Sequence, residues 1–176
     1  PLAIRARRQV AHELDLIGRL DLAGYFLIVW DIVQFCRRND ILVFDSVEEE
    51  GLKVVKRLIG VPGDTLAMEG GVLYRNGKRV DEPYALHGDP TRSEDPMQRA
   101  KMRLWQLPHV VGRDTARYQP DLQDWGPIVV PADSFFMMGD NRDSSYDGRY
   151  WGFLPRKNVR GRPLVVYFSY DASSWR

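Results

Sequence analysis

The chain has 176 residues, of which 44% are hydrophobic and 28% charged, with a formal net charge of +1. This suits one globular domain, with room for an extension, and the near-neutral balance argues against broad binding to nucleic acid or anionic lipid. Cys36 is the only cysteine, which excludes an intrachain disulfide and a cysteine-held zinc, and His12, His87 and His109 show no metal-ligand spacing.

Residues 1–43 read as helical. Leu2, Val10, Leu14, Ile17 and Leu20 recur at helical spacing, with Arg7, Arg8, Glu13 and Arg19 between them. Asp21 is placed to cap a second helix running to about Arg38. Its apolar stretch, Gly24 to Phe35, contains Asp31 and falls short of the roughly 20 residues a membrane span needs. No secretory signal is expected, because the cluster Arg5, Arg7 and Arg8 precedes a periodic, charged segment. From Ile41 on, strands and turns take over. Ile41 to Phe44 and Lys53 to Ile59 read as strands, and Pro62-Gly63-Asp64 as a turn. Val72 to Arg75 and Lys78 to Val80 flank Asn76-Gly77, a strong hairpin signal because both turn positions tolerate positive φ. Residues 85–125 are polar and proline-punctuated, which predicts an insertion or loop system with a short helix near 98–106. Strands are expected again at 128–130, 134–138 and 164–169. Glu48-Glu49-Glu50 reads as a solvated turn.

Two segments carry chemistry. One is Lys56-Arg57-Leu58-Ile59-Gly60-Val61-Pro62-Gly63-Asp64. The other, Gly139-Asp140-Asn141-Arg142-Asp143-Ser144-Ser145-Tyr146-Asp147-Gly148-Arg149-Tyr150-Trp151-Gly152, packs many polar groups directly after an apolar strand. A hydroxyl is a poor nucleophile until a base takes its proton. Lysine can serve only when neutral, and with a free pKa near 10.4 roughly 0.1% or less is neutral at pH 7. An apolar setting lowers that pKa, and Leu58, Ile59, Phe135 and Phe136 are residues that could provide one.

Residues 44–170 resemble the catalytic domain of bacterial type I signal peptidase, a Ser/Lys enzyme that removes signal peptides from exported proteins. The first segment is similar to the family's lysine box, Gly71 to Lys78 to its next hairpin, and 139–155 to its last conserved box. The resemblance implies a mainly β fold of coiled antiparallel sheets, here with an N-terminal helical hairpin. It implies Lys56 as general base, Ser145 as the serine orienting it, Asp147 and Arg149 as a bracing ion pair, and Arg57 with Asp140 or Asp143 as a second brace. It implies no cofactor or metal, preproteins as substrates, and a catalytic domain at the outer face of the cytoplasmic membrane. The chain departs from the family's pattern at Gly148, where serine is usual.

The family's nucleophile lies in a Ser-Met-x-Pro-Thr-like box well ahead of the lysine, and no such box is present. Residues 1–43 contain no serine, and Ser46, in a polar segment ten positions before Lys56, is a poor substitute. Residues 23–43 instead resemble a segment of the bacterial DNA polymerase III α subunit, without its phosphate-contacting loop or magnesium carboxylates, so no polymerase activity or nucleic-acid partner is implied. The two resemblances meet at 40–44, which points to a fusion, with domains at 1–43 and 44–176. On this reading the chain alone is inactive, Lys56 is more exposed than in an intact relative, with a pKa nearer to that of free lysine, and proteolysis cuts between about 36 and 52. The rival reading is a non-catalytic peptide-binding scaffold on the same fold.

Overall fold

Runs of β-branched and aromatic residues broken by turns with positive φ favour antiparallel strands. A computed structural model describes residues 38–88 and 95–163. Its strands are β1 (Ile41–Asp45), β2 (Lys53–Gly60), β3 (Thr65–Glu69), β4 (Val72–Arg75), β5 (Lys78–Arg79), β6 (Trp125–Val129), β7 (Ser134–Met138), β8 (Leu154–Pro155) and β9 (Val159–Gly161). One sheet has the order β8-β7-β2-β1-β9 and the other β5-β4-β3-β6. Every pairing between these strands is antiparallel. The fold is therefore mainly β, as expected.

The core lies between the sheets. Ile59, Phe136 and Met138 from one meet Leu66, Met68, Leu73, Trp125 and Ile128 from the other. The Val61–Asp64 turn joins them, with Gly63 at φ 83°. Buried Asp64 closes the turn by accepting from Val61 N at 3.0 Å. Asp64 also takes Arg38 in a two-pronged pair at 2.7 and 2.8 Å, and Asn76 Nδ2 at 2.9 Å. The Asn76-Gly77 hairpin forms as the sequence predicts, with φ of 54° and 73°.

Strand β1 crosses the 43/44 boundary drawn from the two resemblances. It pairs with β2 without a break from Ile41↔Arg57 to Asp45↔Lys53, and Leu42 and Phe44 are both buried. Of the expected helical segment 1–43, residues 1–37 lie outside the described residues, as does the strand expected at 164–169.

The stretch read as a loop system contains α1 (Pro96–Gln106), two residues longer at its start than predicted, with Asp95 capping Met97 N at 2.9 Å and proline in the first turn. This stretch also packs. Met102, Leu122 and Tyr150 form a small cluster, and Tyr118 accepts from Gly126 N at 2.7 Å while bonding Gln106. The strand predicted at 128–130 begins earlier, at Trp125. A four-residue helix, α2 (Gly148–Trp151), follows the cap Asp147. Among the described residues, no helix is long and apolar enough to cross a membrane.

Candidate active site around Lys56

Lys56 sits in the middle of β2, opposite Leu42 of β1. Successive side chains of a strand point to opposite faces, so Lys56 and Arg57 diverge. Lys56 Nζ donates to Ser145 Oγ at 2.7 Å. The two lie in a cleft of about 280 Å³ lined also by Ile41, Val55, Gly139 and Ser144. The side chain is half-buried, and loss of hydration pushes the amine below the ordinary lysine range, with Asp147 opposing the shift and Arg149 adding to it. Strands β1 and β2 and the polar box flank the amine. The apolar wall of the cleft comes from Ile41 and Val55, while Leu58, Ile59, Phe135 and Phe136 are buried in the core.

Gly139 explains how lysine and serine approach. A Cβ there would fall on the Ser145 side chain and 3.4 Å from Lys56 Nζ. Its N–H donates to Asp147 Oδ2 at 2.9 Å, and its carbonyl accepts from Arg142 Nε at 3.2 Å. Asp147 and Arg149 are 0% and 1% exposed and share two side-chain bonds at 2.9 Å. Arg149 also donates to Arg142 O at 2.6 Å, and its own carbonyl accepts from Trp105 Nε1 of α1 at 2.8 Å. The polar box is thus folded around a sealed ion pair.

Of the two carboxylates considered for Arg57, the structure selects Asp140, in a two-pronged pair at 2.7 and 2.6 Å. Asp143 instead accepts from Gly88 N at 2.7 Å. The Ser46 hydroxyl accepts from Glu48 N and Glu49 N at 3.2 and 3.1 Å, closing the turn after β1. Ser46 is not among the residues lining the Lys56 cleft. Glu48 pairs with Lys101 of α1, so the acidic turn is anchored rather than simply solvated. The ion pair of Glu82 with Arg142 escapes a reading of the sequence. Sixty residues separate the partners, and the only signal is charge in a stretch that otherwise reads as loop.

Strands, cleft and buried braces define a β-sheet protein with an amine bonded to a serine in a cleft, and similarity to known proteins gives its class. Residues 21–168 match the family described as signal peptidase, peptidase S26. The chain belongs to this family. It is 34% identical over 139 residues to a signal peptidase I of Leptolyngbya laminosa, covering 75% of this chain and 53% of that one. It is 34% identical over 152 residues to a signal peptidase I of Bacillus licheniformis, covering 84% and 69%. A signal peptidase I of Pseudomonas aeruginosa is also 34% identical, over 147 residues, 76% of this chain and 50% of that one. The chain thus spans about half the length of the Leptolyngbya and Pseudomonas relatives. A solved signal peptidase I from Enterococcus faecalis aligns with a TM-score of 0.47 at 29% identity, over 72% of this chain and 95% of that one. The family match begins at residue 21 and so covers all of residues 23–43, the run for which a polymerase resemblance is expected.

Proposed function

We propose that this chain carries the base-bearing core of a signal peptidase I-type serine endopeptidase, with Lys56 as general base and Ser145 as its orienting hydroxyl. The observation that carries the reading is the Lys56 Nζ–Ser145 Oγ bond at 2.7 Å in a cleft that disfavours the charged amine. A neutral lysine takes the proton of an attacking serine, whose oxygen adds to the scissile carbonyl. The protonated lysine then delivers that proton to the leaving amine, and water, activated by the same base, releases the acyl-enzyme. Ser145 holds the amine from one side; Asp147–Arg149 holds the loop that bears Ser145. No metal or organic cofactor takes part. The substrates are preproteins bearing signal peptides, met at the outer face of the cytoplasmic membrane.

The nucleophile belongs ahead of β1, and the 176 residues by themselves do not turn over. Ser46 is occupied in its turn, and Ser145 is the hydroxyl that lies at the amine. Joining a Ser-Met-x-Pro-Thr segment ahead of Arg38, so that β1 and the Arg38–Asp64 pair stay intact, is expected to produce cleavage of a fluorogenic signal-peptide substrate after a small residue. Lys56→Ala then abolishes it. Cleavage that survives Lys56→Ala refutes the assignment; substrate binding without turnover in the joined protein favours the scaffold reading. The proposed fusion at 40–44 makes a separate demand. Amplifying the DNA directly across that junction must recover it, and the family match from residue 21 counts against it.

A further inference from the structure

The segment after β5 runs along the outside of the polar box and touches both walls of the Lys56 pocket without lining it. Leu86 forms a parallel bridge to Asn141: Leu86 N donates to Asp140 O at 2.8 Å and Arg142 N to Leu86 O at 2.9 Å. Upstream, Glu82 grips Arg142 with two bonds at 2.7 and 2.5 Å. The pair is buried, at 8% and 2% exposure. Arg142 in turn holds the carbonyl of Gly139, the residue against which Lys56 and Ser145 meet. Two residues on, the ring of Tyr84 lies 3.9 Å from the Arg57 guanidinium, in the range of a favourable cation–π contact. The Tyr84 hydroxyl is 3.1 Å from Glu82 Oε1 and 3.2 Å from Asn39 Oδ1. Burial, with Glu82 beside it, pushes that hydroxyl up to about 12, so it keeps its proton as a donor.

Arg57 is therefore held on several sides: by Asp140, by Asn39 O at 2.6 Å, and by the face of Tyr84. Arg57 is next to Lys56 on one strand and lines the same cleft, as does its partner Asp140, so fixing Arg57 fixes both the strand and one wall of the cleft. Glu82 does the same for the opposite wall, through Arg142 and Gly139. Neither Glu82 nor Tyr84 is among the residues lining the cleft.

We propose that Glu82 and Tyr84 are positioning residues, a strap that sets the geometry of the Lys56 pocket from behind by clamping Arg57 and Arg142 together. This rests on the reading of Lys56 as the base. Loosening the strap lets water reach the amine, whose other charged neighbours, Asp147 and Arg149, stay bonded to each other.

The test is competitive acylation of the full chain with an amine-reactive anhydride across pH, with each lysine quantified by mass spectrometry and thermal unfolding recorded in parallel. Lys56 in the parent is expected to react with a lower apparent pKa than a free lysine amide added as internal standard. Glu82→Gln removes the charge facing Arg142, Tyr84→Leu removes the face over Arg57, and Tyr84→Phe keeps the face and removes only the hydroxyl. Tyr84→Leu is expected to lower Lys56 reactivity at neutral pH by about threefold, half a pKa unit in neutral fraction, Glu82→Gln by at least as much, and Tyr84→Phe by less, with Lys78 unmoved. If Glu82→Gln does not fold, the two Tyr84 variants decide. Variants that lose thermal stability while Lys56 keeps the parent profile overturn the strap and leave the base reading standing. A parent Lys56 that titrates like the free lysine standard overturns both.

Discussion

Two carboxylate–arginine clusters in this molecule share a composition and differ in setting. At one end of the five-stranded sheet, Asp45 meets Arg160 and Lys53, with Asp45 at 22% and each cation at 57% exposure. Beside Lys56, Asp147 meets Arg149 with neither more than 1% exposed. The Asp45 cluster joins side chains that water would solvate equally well. The Asp147 pair replaces water, and it is further bonded to backbone groups at Gly139 N, Arg149 N and Arg142 O. The sign of the charges is the same in both places. Burial decides which cluster carries structure, and the sealed one holds the loop that bears Ser145.

The largest break in that contrast is Asp147→Ala. It removes the carboxylate facing the buried Arg149 guanidinium and the acceptor of Gly139 N, and removing one partner of a buried pair costs about 3–5 kcal/mol. Urea unfolding monitored by tryptophan fluorescence measures it. A loss below about 1 kcal/mol, the range of exposed pairs, would show the box to be solvated after all.

A smaller break comes from Gly148→Ser. The family resemblance makes serine the usual residue here, yet in this chain a Cβ at Gly148 would stand 2.6 Å from Met137 O and 3.2 Å from Phe136 Cε2. A carbonyl cannot rotate away as a side-chain tip can, so the change is expected to cost about 1–3 kcal/mol, as overpacking does. Equal or greater urea resistance would mean that β7 shifts freely to admit the side chain.

Legibility in the sequence follows the range of each interaction. The Lys56 strand, the Pro62-Gly63 turn, the Asn76-Gly77 hairpin and the strand at 134–138 are local patterns, readable from local residues. The pairing of Asp147 with Arg149 is legible through resemblance, and the structure brings them together. The choice of Asp140 over Asp143 for Arg57 is not, because both lie near the start of one polar box and only the tertiary path of residues 82–88 separates them. The packing within 95–125 is also hidden. Met102, Gln106 and Leu122 are single buried residues spread through a polar stretch, with no period to betray them. The sequence reading opens Lys56 to water because it assigns the upstream neighbours to another family. Yet Leu42 and Phe44, just before the lysine strand, belong to the buried core of the same sheet as Lys56. Proteolysis is accordingly expected to spare the paired run Ile41–Asp45, within the span where the fusion reading places the cuts.

Lys56 itself sharpens the comparison, since it is half-buried and, among the described residues, its amine is bonded to a hydroxyl rather than to a carboxylate. Its folded-state affinity for a proton is lower than that of a free lysine. Between the two pKa values the unfolded chain binds the extra proton, so stability rises with pH there. Lys56→Met removes that liability. Its gain in Tm is expected to be greatest at neutral pH and to shrink as pH approaches the ordinary lysine value of 10.5. A gain independent of pH would point to better packing rather than to relief of a buried charge.

The smallest effect belongs to Asp45. Bonds from Arg160 and Lys53 hold its carboxyl down to about 2. A depressed carboxylate contributes whatever stability it has above the unfolded value and loses it as pH falls through the folded one. Any contribution therefore disappears between the ordinary 3.8 and about 2. Both cations of the cluster are more than half exposed, so counter-ions should screen it. Asp45→Asn is expected to leave the urea midpoint unchanged at pH 7, and the carboxyl titration followed by NMR should move up toward 3.8 when salt is raised to 1 M. The Asp147 pair, sealed from those ions, should show no such response: the urea-unfolding penalty of Asp147→Ala should be the same in low and high salt. If the Asp45 titration ignores salt, or the Asp147 penalty falls with it, then exposure is not what separates the two clusters.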